Sequence, residues 1–190
     1  NNSGYISTNK GDDQVFIGGS NYADFYLGEG NDELDIQGSN TSYINLGSGS
    51  DALYIGTNNN GSIDGRSGSS NINIEGNNTA SISLGNESDI LRIGGTTSNR
   101  DISLGDGQNV LYVENTDNVD QTSGRIFSGE DADTIVLNQN AGQIQSNEGD
   151  DSIYIDGDAN GSIDTSSGDD TLQISGSANS NANISTDAGN

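Results

Sequence analysis

Nine times along this chain, the inward-facing apolar residue of one short run is followed nine residues later by that of the next. The pairs are Ile6 and Val15, Phe25 and Leu34, Ile44 and Leu53, Ile63 and Ile72, Ile82 and Leu91, Ile102 and Leu111, Ile126 and Ile135, Ile144 and Ile153, and Ile163 and Leu172. The intervals that close the cycle are not fixed: eight residues from Ile17 to Phe25, seven from Leu137 to Ile144, thirteen from Val113 to Ile126. One turn of the repeat therefore tolerates insertion and the other does not. The invariant turn is also the acidic one.

Such a repeat changes what the composition implies. A net charge of -24 with only 28% hydrophobic residues lies near the border at which a chain cannot bury enough apolar surface to order itself. Here the apolar residues fall on four positions of a unit close to 19 residues long, for example LGEGNDELDIQGSNTSYIN from Leu27 and LGSGSDALYIGTNNNGSID from Leu46. Leu34 and Ile36 alternate with Glu33 and Asp35, and Ile44 and Leu46 form a second alternating pair. Period two in runs too short for a helix is the strand signal, and fixed-period self-similarity is the signature of a stacked array. The expectation is an all-β parallel β-solenoid of nine to ten rungs, two short strands per rung, with Gly, Asn and Ser turns and no appreciable helix. Residues 1–190 form one repeat domain in this reading. With no polar cap recognisable at either end, the sequence reads as a segment of a longer array.

Several chemistries are excluded by residue type. Without Cys or His there is no disulfide, no thiolate or imidazole metal site and no Ser-His or Cys-His nucleophile. Five basic residues against 29 acidic ones argue against nucleic acid and anionic lipid as partners. No apolar run is long enough for a membrane span.

The sixth position of the invariant turn reads Asp13, Asp32, Asp51, Ser70, Asp89, Asn109, Asp133, Asp151 and Asp170, seven Asp in nine rungs. In-register stacking would line these carboxylates up about 5 Å apart, where two charges repel by about 3 kcal/mol at an effective dielectric near 20. Divalent cations would reverse that penalty, and carboxylate and carbonyl oxygens are the hard ligands that suit Ca²⁺. Gly11, Gly28, Gly30, Gly47, Gly49, Gly149 and Gly168 permit backbone angles that aim carbonyls into the same gap, and Asp12, Asp150 and Asp169 add charge beside Asp13, Asp151 and Asp170. The competing explanation is an ordinary Asx turn. An Asx turn would accept Asn as readily as Asp, and Asn is concentrated in the other turn.

The stretch LGEGNDELD from Leu27 resembles the nonapeptide of the RTX, or hemolysin-type, calcium-binding repeats, GGxGxDxUx, with the first Gly replaced by Leu, and LGSGSDALY from Leu46 and SNEGDDSIY from Ser146 are similar copies. That resemblance implies a parallel β-roll in which Ca²⁺ sits between successive turns, held by loop carbonyls and the sixth-position Asp. It covers one half of each rung, so it implies several ions along one side of the rod only. Ser70 and Asn109 depart from the Asp, and Glu87 and Asp131 from the Gly. By the same analogy the chain is a calcium-stabilised, non-enzymatic structural segment of a secreted bacterial surface protein, either an S-layer subunit or an adhesin exported by type I secretion. Its expected partners are further repeats of the same polypeptide or other copies, with a surface polysaccharide as the external ligand. The alternatives are a metal-independent filament and an ice- or carbohydrate-binding solenoid. Ice binding favours a regular Thr array, but the outward file of the first strand is Phe16, Asp35, Tyr54, Asn73, Arg92, Tyr112, Val136, Tyr154 and Gln173. The longest return loop, Glu114 to Arg125, is the one insertion large enough for a partner site.

Overall fold

The computed structural model describes residues 4–98, 100–114, 124–180 and 182–186. Two parallel sheets face each other. One has nine strands, running rung by rung from Gln14–Ile17 to Thr171–Ile174, and the other has ten, from Tyr5–Ser7 to Ile184–Ser185. Consecutive strands in sequence belong to opposite sheets, and each pairs with the strand one full turn away. No helix occurs among the described residues. This is the parallel β-solenoid expected from the repeat, with about nine turns of about 19 residues.

Register follows the apolar spacing. Leu34 pairs with Leu53 and Leu53 with Ile72, while Phe25 pairs with Ile44 and Ile44 with Ile63. Because a one-residue slip would turn every inward side chain to solvent, this alternation fixes the pairing. Stacking extends beyond the strands. The invariant turns form a ladder of bridges through Lys10, Glu29, Ser48 and Ser67, and the return turns another through Asn21, Asn40, Asn59, Asn78 and Thr97. Rungs spaced at about 4.8 Å give a rod on the order of 40 Å long.

The core is a column two side chains wide, from Phe25 and Leu34 through Leu53, Ile72, Leu91, Leu111 and Ile135 to Ile153 and Ile163, all fully or nearly fully buried. It is not uniformly apolar. Where earlier rungs place Leu27, Leu46, Leu84 and Leu104, later rungs place Ser128, Ser146 and Thr165, all buried. The Ser128 hydroxyl donates to the carbonyl of Ser146 at 3.0 Å and the Ser146 hydroxyl to that of Thr165 at 3.3 Å. A buried hydroxyl needs such a partner, and the neighbouring rung supplies one for Ser128 and Ser146, whereas the Thr165 hydroxyl is buried without one. The sequence reading, which looked for apolar residues at this position, gave no sign of this polar seam. Most of the insertion between Glu114 and Arg125 lies outside the described residues.

Candidate metal centre

The invariant turn leaves the ten-stranded sheet, crosses a Gly-rich loop and enters the nine-stranded sheet at the sixth position or one residue after it. Gly11, Gly28, Gly30, Gly47, Gly49, Gly149 and Gly168, like Gly68 and Gly129 of the same turn, have φ between +101° and +148°. At Gly49 the requirement is twofold. Its φ is +125°, and a Cβ would stand 2.0 Å from the carbonyl oxygen of Gly30 in the rung below. At Gly28, Gly47 and Gly49 the turns stack so closely that a backbone carbonyl of the rung below lies where a Cβ would be.

The sixth-position side chains form one file, carboxylates in seven of its nine rungs. Asp32, Asp51, Asp89, Asp133 and Asp151 are at most 3% exposed. Each uses Oδ1 to accept the backbone N–H of the sixth residue one rung earlier: Asp32 from Asp13 at 2.9 Å, Asp51 from Asp32 at 2.9 Å, Asp133 from Asn109 at 2.8 Å and Asp151 from Asp133 at 2.8 Å. Asp170 does the same for Asp151 at 3.0 Å. The second oxygen is different. Oδ2 of Asp13, Asp32, Asp89, Asp133, Asp151 and Asp170 is buried and has no hydrogen-bond partner, and the Ser70 hydroxyl is likewise unpartnered. Burial pushes the Asp51, Asp89 and Asp133 carboxyls up to about 6 from 3.8, and raises Asp32 and Asp151 in the same direction, with neighbouring carboxylates in the file adding to the effect for Asp32, Asp51, Asp133 and Asp151. A row of buried, unpaired acceptors is costly unless something positive meets them.

Asn109 shows what the position is built to receive. Its Oδ1 accepts the N–H of Asp89 at 2.9 Å, as an Asp would, while its Nδ2 donates to the loop carbonyls of Gly105, Asp106 and Gly107 at 3.1, 3.3 and 2.9 Å. Three carbonyls of the turn thus converge on the second atom of the sixth side chain. In the Asp rungs that atom is an oxygen, which cannot donate to a carbonyl, and Oδ2 of Asp13, Asp32, Asp89, Asp133, Asp151 and Asp170 has no partner. A carboxylate together with backbone carbonyls is the donor set of a hard divalent cation, which Ca²⁺ fits by ligand type.

Among the described residues no three His, Cys, Asp or Glu side chains converge on one point. Any cation here would therefore rely on backbone carbonyls for most of its ligands. Asp12 and Asp150 lie outside the buried file: exposed on the next position of the turn, they accept the N–H of Asn31 at 2.8 Å and of Asp169 at 2.9 Å. Asp169 is exposed on the same row. These carboxylates contribute field at the surface and cap the stacked turn.

Sequence reasoning missed a second buried file, on the opposite edge of the rod. Asn21, Asn40, Asn59 and Asn78 are at most 4% exposed, and each Nδ2 donates to the Oδ1 of the next at 2.8, 2.8 and 2.7 Å. Nδ2 of Asn21, Asn40 and Asn78 also closes its own turn on the carbonyl two residues on. The 19-residue recurrence of these Asn residues was the available signal, hidden by the many other Asn residues in the same turns. The contrast is chemical. An amide is donor and acceptor at once and can pair with its own copy, whereas a carboxylate cannot.

No family model and no curated protein matches the chain. Among solved structures, the chain is similar to the X-ray structure of a hyperactive, Ca²⁺-dependent, β-helical antifreeze protein from an Antarctic bacterium, with a TM-score of 0.83 and 30% identity over 92% of this chain. The match spans 57% of that protein's chain. The chain is thus a parallel β-solenoid that resembles a Ca²⁺-dependent β-helical protein along almost its whole length.

Proposed function

We propose that this chain is a calcium-stabilised structural rod, of RTX β-roll type, from a secreted bacterial surface protein, and that it holds Ca²⁺ at the sixth-position Asp residues. The observation that carries the reading is the row of buried Oδ2 atoms without partners, set against a turn whose carbonyls converge on Nδ2 in the one rung that has Asn109. The likeness to a Ca²⁺-dependent bacterial protein supports the metal. A bacterial surface is calcium-rich, and a rod with a net charge of -24 would gain most from the ion there. Its role is to extend or space whatever adjoins it, in an S-layer subunit or an adhesin, with flanking repeats or other copies as partners. No catalytic role is assigned. The test is thermal unfolding followed by far-UV circular dichroism in chelator, in Ca²⁺ and in Mg²⁺. A large rise in Tm with Ca²⁺ that Mg²⁺ does not reproduce is expected, and equal Tm in chelator and Ca²⁺ would overturn the reading.

Ice binding is the second reading, favoured by the antifreeze activity in the name of the similar protein. The faces of this chain give it less support. Both strand faces mix charges and aromatics, with Phe16 67% and Tyr5 74% exposed. The uncharged rows are on the return turn, including Ser39, Asn58, Asn77 and Thr96, then Thr41, Asn60 and Thr79. Several of their polar groups bond to one another or to the backbone: Ser39 to Thr57 at 2.7 Å, Thr79 to Asn60 at 2.8 Å and Thr41 to the Asn21 carbonyl at 2.9 Å. The rod reading expects no thermal hysteresis from the calcium-loaded protein, and measurable hysteresis would favour the ice reading instead.

A further inference from the structure

The geometry points to Asn109 as an internal substitute for a bound cation, which divides the carboxylate file into two calcium-loading arrays joined by a rung that needs no metal. This deepens the calcium reading and rests on it. On one side of the divide stand Asp13, Asp32 and Asp51, then Ser70 and Asp89. On the other stand Asp133, Asp151 and Asp170.

The argument is one of matching donors to acceptors. At residue 109 the sixth side chain has two jobs: one atom caps the N–H of the rung before, and the other meets the converging carbonyls of its own turn. Asn109 does both with neutral atoms, and its Nδ2 satisfies three carbonyls at once. Its neighbours do the first job and leave the second undone. Ser70 is the opposite case. Too short to cap the preceding rung, it leaves that N–H of Asp51 to the carbonyl of Ser69 at 2.9 Å, and its hydroxyl is buried without a partner. The divide is therefore set by one atom, nitrogen in place of oxygen, at residue 109. A metal-independent rung in the interior gives the rod a fixed point from which either array can order as calcium arrives.

Exchanging Asp and Asn in both directions tests this, because the two side chains have nearly the same shape. Asp32→Asn should unfold in chelator at a Tm about 2–4 °C above the unmodified protein, the shift expected for about 1 kcal/mol in a chain of this size, while calorimetric titration finds at least one Ca²⁺ fewer. Asn109→Asp should lower Tm in chelator, recover it in Ca²⁺ and take up at least one ion more. Asn109→Ala, which keeps neither bond, should lose stability in both conditions. If Asp32→Asn is less stable than the unmodified protein in chelator, or Asn109→Asp gains no ion while the unmodified protein binds several, the substitution rule is wrong and the calcium reading survives. If the unmodified protein binds no Ca²⁺, the calcium reading fails, and the sign of the Asp32→Asn shift in chelator still decides whether amide nitrogen suits the site better than carboxylate.

Discussion

At Asp32 the two oxygens of one carboxylate meet opposite circumstances: Oδ1 receives an N–H from Asp13, and Oδ2 is sealed in without a donor. That asymmetry sets the pH behaviour. The folded-state pKa of Asp51, Asp89 and Asp133 is raised to about 6 from 3.8, chiefly by burial. A raised folded pKa means the metal-free fold binds protons more tightly than the unfolded chain, so this contribution is fully present below about pH 4 and is lost as pH rises through 6. Metal-stripped protein should thus have a higher Tm at pH 4.5 than at pH 7.5. With saturating Ca²⁺ the carboxylates are held ionised and the trend should reverse, because protons then displace the ion. Tm at the two pH values, with and without metal, checks both signs. On the opposite edge, Asn59→Ala removes the acceptor of Asn40 and the donor of Asn78 in a buried ladder. A loss of roughly 2–4 kcal/mol is expected from unsatisfied buried amides, measurable by denaturant unfolding in Ca²⁺.

Among the elements, the turn is more constrained than the strand. Gly49→Ala would drive a Cβ into the Gly30 carbonyl at 2.0 Å, on top of a φ of +125°, whereas Gly11→Ala at the end of the stack meets nothing within 4 Å and bears only its φ of +112°. The backbone term alone is about 1–2 kcal/mol for a non-Gly residue, so Gly11→Ala should lose about that much and Gly49→Ala clearly more, as read by urea unfolding. The strands were legible in the sequence because period two in Leu34, Ile36, Leu53 and Ile55 has one structural meaning, and the nine-residue spacing located the tight turn. The Asp file was legible because a column with like charge in seven of nine rungs needs an explanation. What escaped was polar and buried: the Asn21 to Asn78 ladder and the hydroxyl seam of Ser128, Ser146 and Thr165. A polar residue reveals its burial only through a partner one rung away, and residue type alone does not announce that pairing. Asn109 is the clearest instance. A departure from Asp in the sequence, it is in the structure the sixth-position residue whose second atom meets three carbonyls of its own turn.

For the rod as a whole, charge and core are unevenly matched. Four largely exposed ion pairs among the described residues, Lys10 with Glu29, Arg66 with Asp64, Arg92 with Glu114 and Arg125 with Asp101, and five basic residues in the whole sequence leave most of the 29 acids unneutralised by protein. Exposed pairs of this kind add little stability, so self-repulsion should dominate in chelator. Raising NaCl from low to high concentration should therefore lift the metal-free Tm by screening and change the calcium-loaded Tm much less. The central claim concerns the interior of the acidic turn, and the measurement that addresses it most directly is long-wavelength anomalous diffraction from crystals of the calcium-loaded protein. The account predicts ion peaks beside Oδ2 of Asp32, Asp133 and Asp151 and none at the Asn109 amide. Crystals grown in Ca²⁺ whose buried carboxylates carry no anomalous peak would contradict it.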